Sequence, residues 1–409
     1  MDIIGIGALN IDYIISMPWF PPPSARYLRQ EFEPGKEEWV TNKNLTQRID
    51  MIGTVEFDYI GPGGSAFNTL RCLAQLNLGL SIGYVGIAGV KEDERDLDLR
   101  ECAAKHSIDS TWIYTSKTNP PGKCISLYWP REQSRGLRTA PGADEELASN
   151  LSDTATQDAL SNYIANSKWV HLTSFVNQEC LSQVVQILRK AKAINQRLII
   201  SFDPGSEYCR NPTDVVKEAI RTSDYLFLNW KEFSQLGNYE EAWQLKGGKV
   251  DEKEIAFNLF DSLHGPKLMV VLKTYYSTRF FQMFRNTIIA RRFWQIPLLP
   301  FSIRDDTGAG DVFAAGFIAS QFIPALSFDM RTTILFSSRL VKAKLKIVGC
   351  DAESEYQKVL DQTIEEIRIK EGSNLRDLAR LSLSVILGLL LLALFNEIFH
   401  RLFSRFFPP

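Results

Sequence analysis

The strongest chemical signal in this sequence is the string Asp305-Asp306-Thr307-Gly308-Ala309-Gly310-Asp311, which runs directly into Val312-Phe313-Ala314-Ala315-Gly316-Phe317. It describes a glycine-bearing turn that opens a helix. Gly308 and Gly310 let the backbone come close to a ligand and accept positive φ. The unpaired amides of a helix start, together with the positive end of its dipole, attract an anion. Asp311 falls in the first turn, beside that anion. A carboxylate placed there can take a proton from an attacking hydroxyl while the amides of Gly308, Ala309 and Gly310 stabilise charge on a phosphoryl group. The plainer alternative is a helix-start carboxylate after an ordinary turn.

Other chemistries are poorly supplied. Gly5-Ile6-Gly7 begins like a dinucleotide fingerprint, but Asn10 stands at the third glycine position. A proline-rich segment follows where that fingerprint needs a helix, which excludes NAD binding. The six cysteines lie far apart with no CxxC pair and the four histidines are scattered, so neither a disulfide framework nor a zinc cage is expected. Lys and Arg total 46 against 48 Asp and Glu, a net charge of −2. Nucleic-acid binders usually carry a basic excess, so no such partner is expected.

These residues need a scaffold. The chain has 409 residues, 45% of them hydrophobic and 23% charged, a globular balance. Short apolar runs recur at Ile3–Gly7, Ser81–Val85, Cys124–Trp129, Trp169–Leu172, Leu198–Phe202, Tyr225–Leu228 and Leu268–Leu272. Helix-length stretches such as Ala66–Leu76, Gln178–Ala193 and Ile255–His264 separate several of them, and Gly308–Phe322 and Arg331–Ile347 follow. Continuously apolar strands alternating with helices predict an α/β fold with a largely parallel sheet buried on both faces. The segment Asp12–Ile60 breaks the alternation and is too long for an ordinary loop. It is either a disordered insert or a small β flap over a site. The alternation of Val55, Phe57 and Tyr59 favours the flap.

The segment Asp305–Phe313 closely resembles the C-terminal signature of the ribokinase, or PfkB-type, family of carbohydrate and nucleoside kinases. Three other places agree in order. Ile3 to Asp12 looks like the family's first strand with its Asn-x-Asp, here Asn10 and Asp12. Gly61-Pro62-Gly63-Gly64-Ser65-Ala66-Phe67-Asn68 resembles its Gly-Gly-x-x-x-Asn element. Asn229-Trp230-Lys231-Glu232 resembles its Asn-x-x-Glu. Thr139–Ala143 is a fainter match. The resemblance covers about residues 1–355 and implies a ribokinase-like three-layer sandwich with a β lid within about 13–60.

It also implies roles. Asp311 would be the general base, and Gly308, Ala309 and Gly310 the anion hole. Asp12 would bind sugar hydroxyls, with Asn10, Gly63, Gly64 and Asn68 on the same wall. Asn229 would lie by the nucleotide phosphates and Glu232 would help to hold Mg²⁺. Lys273 and Thr274 fall in the nucleotide site, where the family has a glycine passing the adenine. ATP, Mg²⁺ and a monovalent cation are the implied cofactors. A sugar or nucleoside is the implied acceptor, and a homodimer could form through paired lids. The rival is a non-catalytic, membrane-tethered metabolite sensor using the same pocket; the retained Asp311 and Glu232 favour the enzyme.

Met1–Ser16 lacks a basic start and a small-residue cleavage pattern, so a cytoplasmic catalytic body is expected. Residues 356–376 are strongly charged and predict a helical spacer. Leu381–Asn396 is uncharged; as a helix it would span about 24 Å, short of the roughly 30 Å hydrocarbon core. Between Arg380 and Arg401 the window suffices for a marginal span with snorkelling arginines. The expectation for 377–409 is a hydrophobic C-terminal helix that anchors the protein to a lipid bilayer. An interfacial helix and a helix packed on the kinase body are the alternatives.

Overall fold

The structure is a computed structural model that describes residues 1–18, 26–52, 57–91, 96–239, 251–263, 268–274, 276–295, 298, 302–326 and 329–369. It divides into two units, Met1–Val359 and Leu360–Pro409. In the second unit residues 360–369 are helical, and residues 370–376 of the expected spacer lie outside the described residues. The segment Leu381–Phe395 lies outside the described residues. Among those described, no helix is long and apolar enough to cross a membrane.

The first unit is an α/β body. Its central sheet has nine strands. The first to enter is β1 (Ile3–Ile6), flanked by β5 (Ile82–Ala88) and β9 (Trp169–Thr173), both parallel to it. On one side β6 (Ile108–Thr115) follows β5. On the other, β10 (Ile199–Asp203), β11 (Tyr225–Asn229) and β12 (Met269–Lys273) follow β9, all parallel. An antiparallel hairpin, β13 (Ser277–Phe284) and β14 (Thr287–Trp294), closes that edge. The strand order therefore reverses between β1 and β9. In an open α/β sheet that switch point is where a crevice opens at the carboxyl ends of the strands. Every residue of β1, β5 and β9 is buried, as continuous apolar runs require of strands covered on both faces.

A second sheet of five strands holds β2 (Asn10–Ser16), β3 (Glu37–Trp39), β4 (Tyr59–Gly63), β7 (Gly122–Trp129) and β8 (Ser134–Ala140), in the order β3-β8-β7-β2-β4. The segment Asp12–Ile60 is thus folded as a lid, but not a purely β one. Two helices, α1 (Arg26–Glu31) and α2 (Asn42–Ile52), lie within it. Of the expected Val55–Tyr59 strand, Val55 and Glu56 lie outside the described residues; the observed strand begins at Tyr59. The lid also reaches beyond residue 60. The run at Cys124–Trp129 belongs to this sheet, pairing with β2 and β8, and not to the parallel body. Its apolar run cannot tell the two apart, because the lid strand is also mostly buried.

Two helices position the chemistry. The helix α3 (Ser65–Gln75) begins at Gly64, and α12 (Ala309–Ser320) begins at Gly308; both glycines have positive φ, +97° and +77°. Within α12 the residues from Asp311 to Ser320 are buried, which explains why its sequence is apolar on every face. A further helix, α13 (Met330–Lys344), packs beside it.

Candidate active site

The carboxyl ends of four adjacent strands supply Thr173, Asp203, Asn229 and Lys273 to one cavity of about 720 Å³. The lid supplies its other wall, including Asn10, Asp12, Trp39 and Arg135. Asn10 and Asp12 are two apart on β2, so they share a face. Three of their four neighbours across the sheet are glycines: Gly63 and Gly122 beside Asn10, and Gly61 beside Asp12, whose other neighbour is Cys124. A Cβ at Gly63 would run into the Asp12 carboxyl group. Gly63 is not among the residues that line the cavity; it leaves space for the Asp12 carboxyl group.

Asp311 lies in the first turn of α12, buried but lining the cavity. Its Oδ2 accepts a 3.2 Å hydrogen bond from Asn68 Nδ2 on α3. The Thr69 hydroxyl donates to the Asp311 carbonyl at 3.3 Å, tying the two helices together. Asn10 Oδ1 and Asn68 Oδ1 are buried without a hydrogen-bond partner. Buried polar atoms left open in this way are costly unless a ligand or water completes them.

Gly308 adopts a conformation that side chains resist, and its added Cβ would collide with the Cys350 sulfur. Gly308→Ala is expected to destabilise the protein by about 2–4 kcal/mol from the left-handed backbone and the overpacking together. A lower midpoint in urea unfolding would register it. Next to Gly308, the Ala309 amide donates to the Asp306 carbonyl at 3.1 Å. Its N–H is spent closing the turn, contrary to the expected three-residue anion hole. The amides of Gly310 and Asp311, which follow in the first turn, have no acceptor within the helix.

Across the cavity stands a charged cluster. Lys273 Nζ lies 2.6 Å from Asp203 Oδ2, and a Cβ on Gly310 would be 3.2 Å from the same nitrogen. The ammonium thus sits against the helix start that carries Asp311. Glu232 is locked by Asn229 in a capping box: Oε2 accepts the Asn229 amide at 2.8 Å, Oε1 the Asn229 side chain at 2.7 Å, and Asn229 Oδ1 the Glu232 amide at 3.0 Å. The polar atoms of Asn229 are therefore committed to holding Glu232. The Thr274 hydroxyl is likewise engaged with Ser277, which shapes the turn between β12 and β13.

Electrostatics follow from this crowding. Burial, then Asp203, push Asp311 up to about 6, against the pull of Lys273 and the Asn68 hydrogen bond. Burial raises Asp12 to about 7, although Arg71 opposes it. Glu232 is pushed to about 7 by burial and by Asp203, with Lys273 working against them. Burial disfavours the Lys273 charge, yet Asp203 and Glu232 outweigh it and raise its pKa. Among the described residues no group of three or more His, Cys, Asp or Glu is placed to hold a metal alone.

Some site residues escape the sequence patterns. Arg135 on β8 donates to the Asp306 carbonyl at 3.1 Å and pairs with its carboxylate at 3.3 Å. The Ser126 and Thr307 hydroxyls meet at 2.7 Å. Both contacts hold the lid against the loop before α12, and only the fold reveals them. Asp203 is visible in Asp203-Pro204-Gly205, but its partner Lys273 lies 70 residues away.

An open α/β body whose parallel strands end in a lidded cavity, with buried carboxylates beside a helix start, defines the architecture of a small-molecule enzyme. The pfkB family carbohydrate kinase description matches residues 58–322, well over half of the chain, and the chain belongs to that family. It is accordingly a phosphotransferase with an alcohol group as acceptor, of the sugar and nucleoside kinase class. Among solved structures it resembles adenosine kinase from Schistosoma mansoni in complex with 2-fluoroadenosine, at 17% identity and a TM-score of 0.68, covering 87% of this chain and 98% of that one. Adenosine kinase from Anopheles gambiae in complex with P1,P4-di(adenosine-5) tetraphosphate is similar at 19% identity and 0.67, covering 86% and 97%. Ribokinase from Giardia lamblia is similar at 17% and 0.63, covering 88% and 99%. Comparison with curated proteins returned no match.

Proposed function

We propose that this protein transfers the γ-phosphoryl group of ATP to a hydroxymethyl oxygen of a sugar or nucleoside. The observation that carries this reading is the position of Asp311. It is a buried carboxylate in the first turn of α12, between the acceptor-side groups Asp12 and Asn68 and the Lys273 ammonium. Asp12 accepts hydrogen bonds from the acceptor's hydroxyls, with Asn10 and Asn68 on the same wall of the cavity. Asp311 takes the proton of the attacking hydroxyl. The amides of Gly310 and Asp311, with Lys273, offset the charge on the transferring group.

Mg²⁺ keeps much of its water and needs only one or two carboxylates beside the phosphates. Glu232, with Asp203 near it, fits that demand and would hold the ion through water. When bound, the ion neutralises phosphate charge. The lid contacts through Arg135 and Ser126 keep the cavity covered, so that phosphoryl transfer to water is disfavoured. Trp39, Leu137 and Phe175 add apolar wall, which leaves room for a base as well as a sugar.

A coupled ADP-release assay across pentoses, hexoses and nucleosides tests the proposal. Binding of a metabolite without ADP release would instead fit a sensor. For the active pair, kcat/KM is expected to rise with pH through about 6, because Asp311 acts only when ionised and titrates there. Below that point the rate should fall about tenfold per pH unit. A flat profile between pH 5 and 8 would remove Asp311 from the base role.

A further inference from the structure

The family resemblance implies a monovalent cation, and such an ion is held by converging oxygens. The loop that leads into Gly308 contains a place of that kind, and an ammonium already fills it. Lys344, the last residue of α13, donates to the Asp305 carbonyl at 3.1 Å and to Asp305 Oδ2 at 2.7 Å. Both side chains are 0% exposed. The same carboxylate accepts the Gly349 amide at 3.1 Å and, through Oδ1, the Thr307 amide at 2.8 Å. Arg304 adds a backbone bond to Leu345 at 2.8 Å. Residues 304–307 are thereby pinned to the end of α13 one residue before Gly308. The C-terminus of a helix favours a positive charge, which suits Lys344 at that position.

A buried ion pair is a weak source of stability, since desolvation offsets most of the attraction. Its informative property is its place. The pair fixes the loop whose shape sets the amides of Gly310 and Asp311, yet neither Lys344 nor Asp305 lines the cavity.

We propose that Lys344 is a built-in counter-cation for the catalytic loop, so that this kinase works without a free monovalent cation. Lys344 is a positioning residue, acting through Asp305 and Thr307 on the helix start. The inference rests on the kinase reading for its rate effects, but not for its effect on folding. The test uses the full chain in tetramethylammonium buffer, with and without added potassium or ammonium chloride, and reads thermal unfolding alongside ADP release.

Wild type is expected to be indifferent to both ions in both readouts. Lys344→Ala is expected to lose roughly a hundredfold in kcat with little change in acceptor KM, and to regain about tenfold or more when ammonium or potassium enters the vacated space. Its melting temperature should rise with the same ions and not with tetramethylammonium, which is too large. Stimulation of wild type by potassium would overturn the proposal, as would a Lys344→Ala protein as fast as wild type in cation-free buffer. Should Lys344→Ala not fold, the double variant Lys344→Met with Asp305→Asn leaves no buried charge. It is expected to fold, to be slow and to ignore added ions; full activity in it overturns the proposal. If no protein, wild type included, releases ADP with any acceptor, the kinase reading fails, while the ion-dependent melting of Lys344→Ala still decides the role of the lysine.

Discussion

Asp311→Asn is expected to lower kcat by roughly 10²- to 10⁴-fold, the range that general-base catalysis contributes, with acceptor affinity nearly unchanged. The substitution preserves size and leaves the carbonyl end of the side chain able to accept the 3.2 Å hydrogen bond from Asn68. It removes only the ability to take a proton. Asp12, the proposed hydroxyl acceptor on the lid side, is untouched, so a Kd for the acceptor measured by calorimetry should stay within a fewfold of wild type. The rise in rate through pH 6 should also vanish from the residual activity, because the group that titrates there is gone. Turnover equal to wild type would assign the base elsewhere. A loss of rate accompanied by an equal loss of acceptor binding would make Asp311 a binding residue.

The expectation for Asp311 comes from a string of seven residues, and that explains why it is legible before any fold is known. A helix start is a local object: the turn, the unpaired amides and the carboxylate are specified within one stretch of chain. Asn10, Asp12, Asn229 and Glu232 are singled out only by the family resemblance; the strand β2 that puts the first two on one face and the capping box that joins the other two are findings of the structure. The parallel body is legible because buried strands are apolar throughout. Contacts between distant elements are not legible in this way. Arg135 gives no hint that it will meet Asp306, which lies 171 residues further along. Lys344 reads as one more cation near a helix end, and only packing makes it the partner of Asp305. The hairpin of β13 and β14 is missed because its turn uses Arg285 and Asn286, both at positive φ, instead of a glycine pair. The lid is read too short because two of its strands come from residues 122–140, long after the segment that looks anomalous.

Replacement of Lys273 has the second large expected effect. Its ammonium lies 2.6 Å from Asp203 and against Gly310. Lys273→Met keeps the length of the side chain and deletes the charge. Removing one preorganised group that stabilises developing charge typically costs about 10²- to 10³-fold, and kcat/KM should fall by that amount. The direction of a second change separates this role from simple packing. Lys273 is the leading influence that lowers the Asp311 pKa, while Asp203 raises it. Without the ammonium, Asp203 acts on Asp311 against only the weaker pull of the Asn68 hydrogen bond and Arg135, so the pH at which the rate rises should move upward from about 6. Lys273→Arg should hold that midpoint closer to its original place, since the charge is kept even if its geometry is not. A Lys273→Met enzyme that is merely less stable, with the rate and the pH midpoint of wild type, would reduce Lys273 to a partner for Asp203. A slow enzyme whose pH midpoint has climbed would show that Lys273, at the end of β12, takes part in the phosphoryl chemistry.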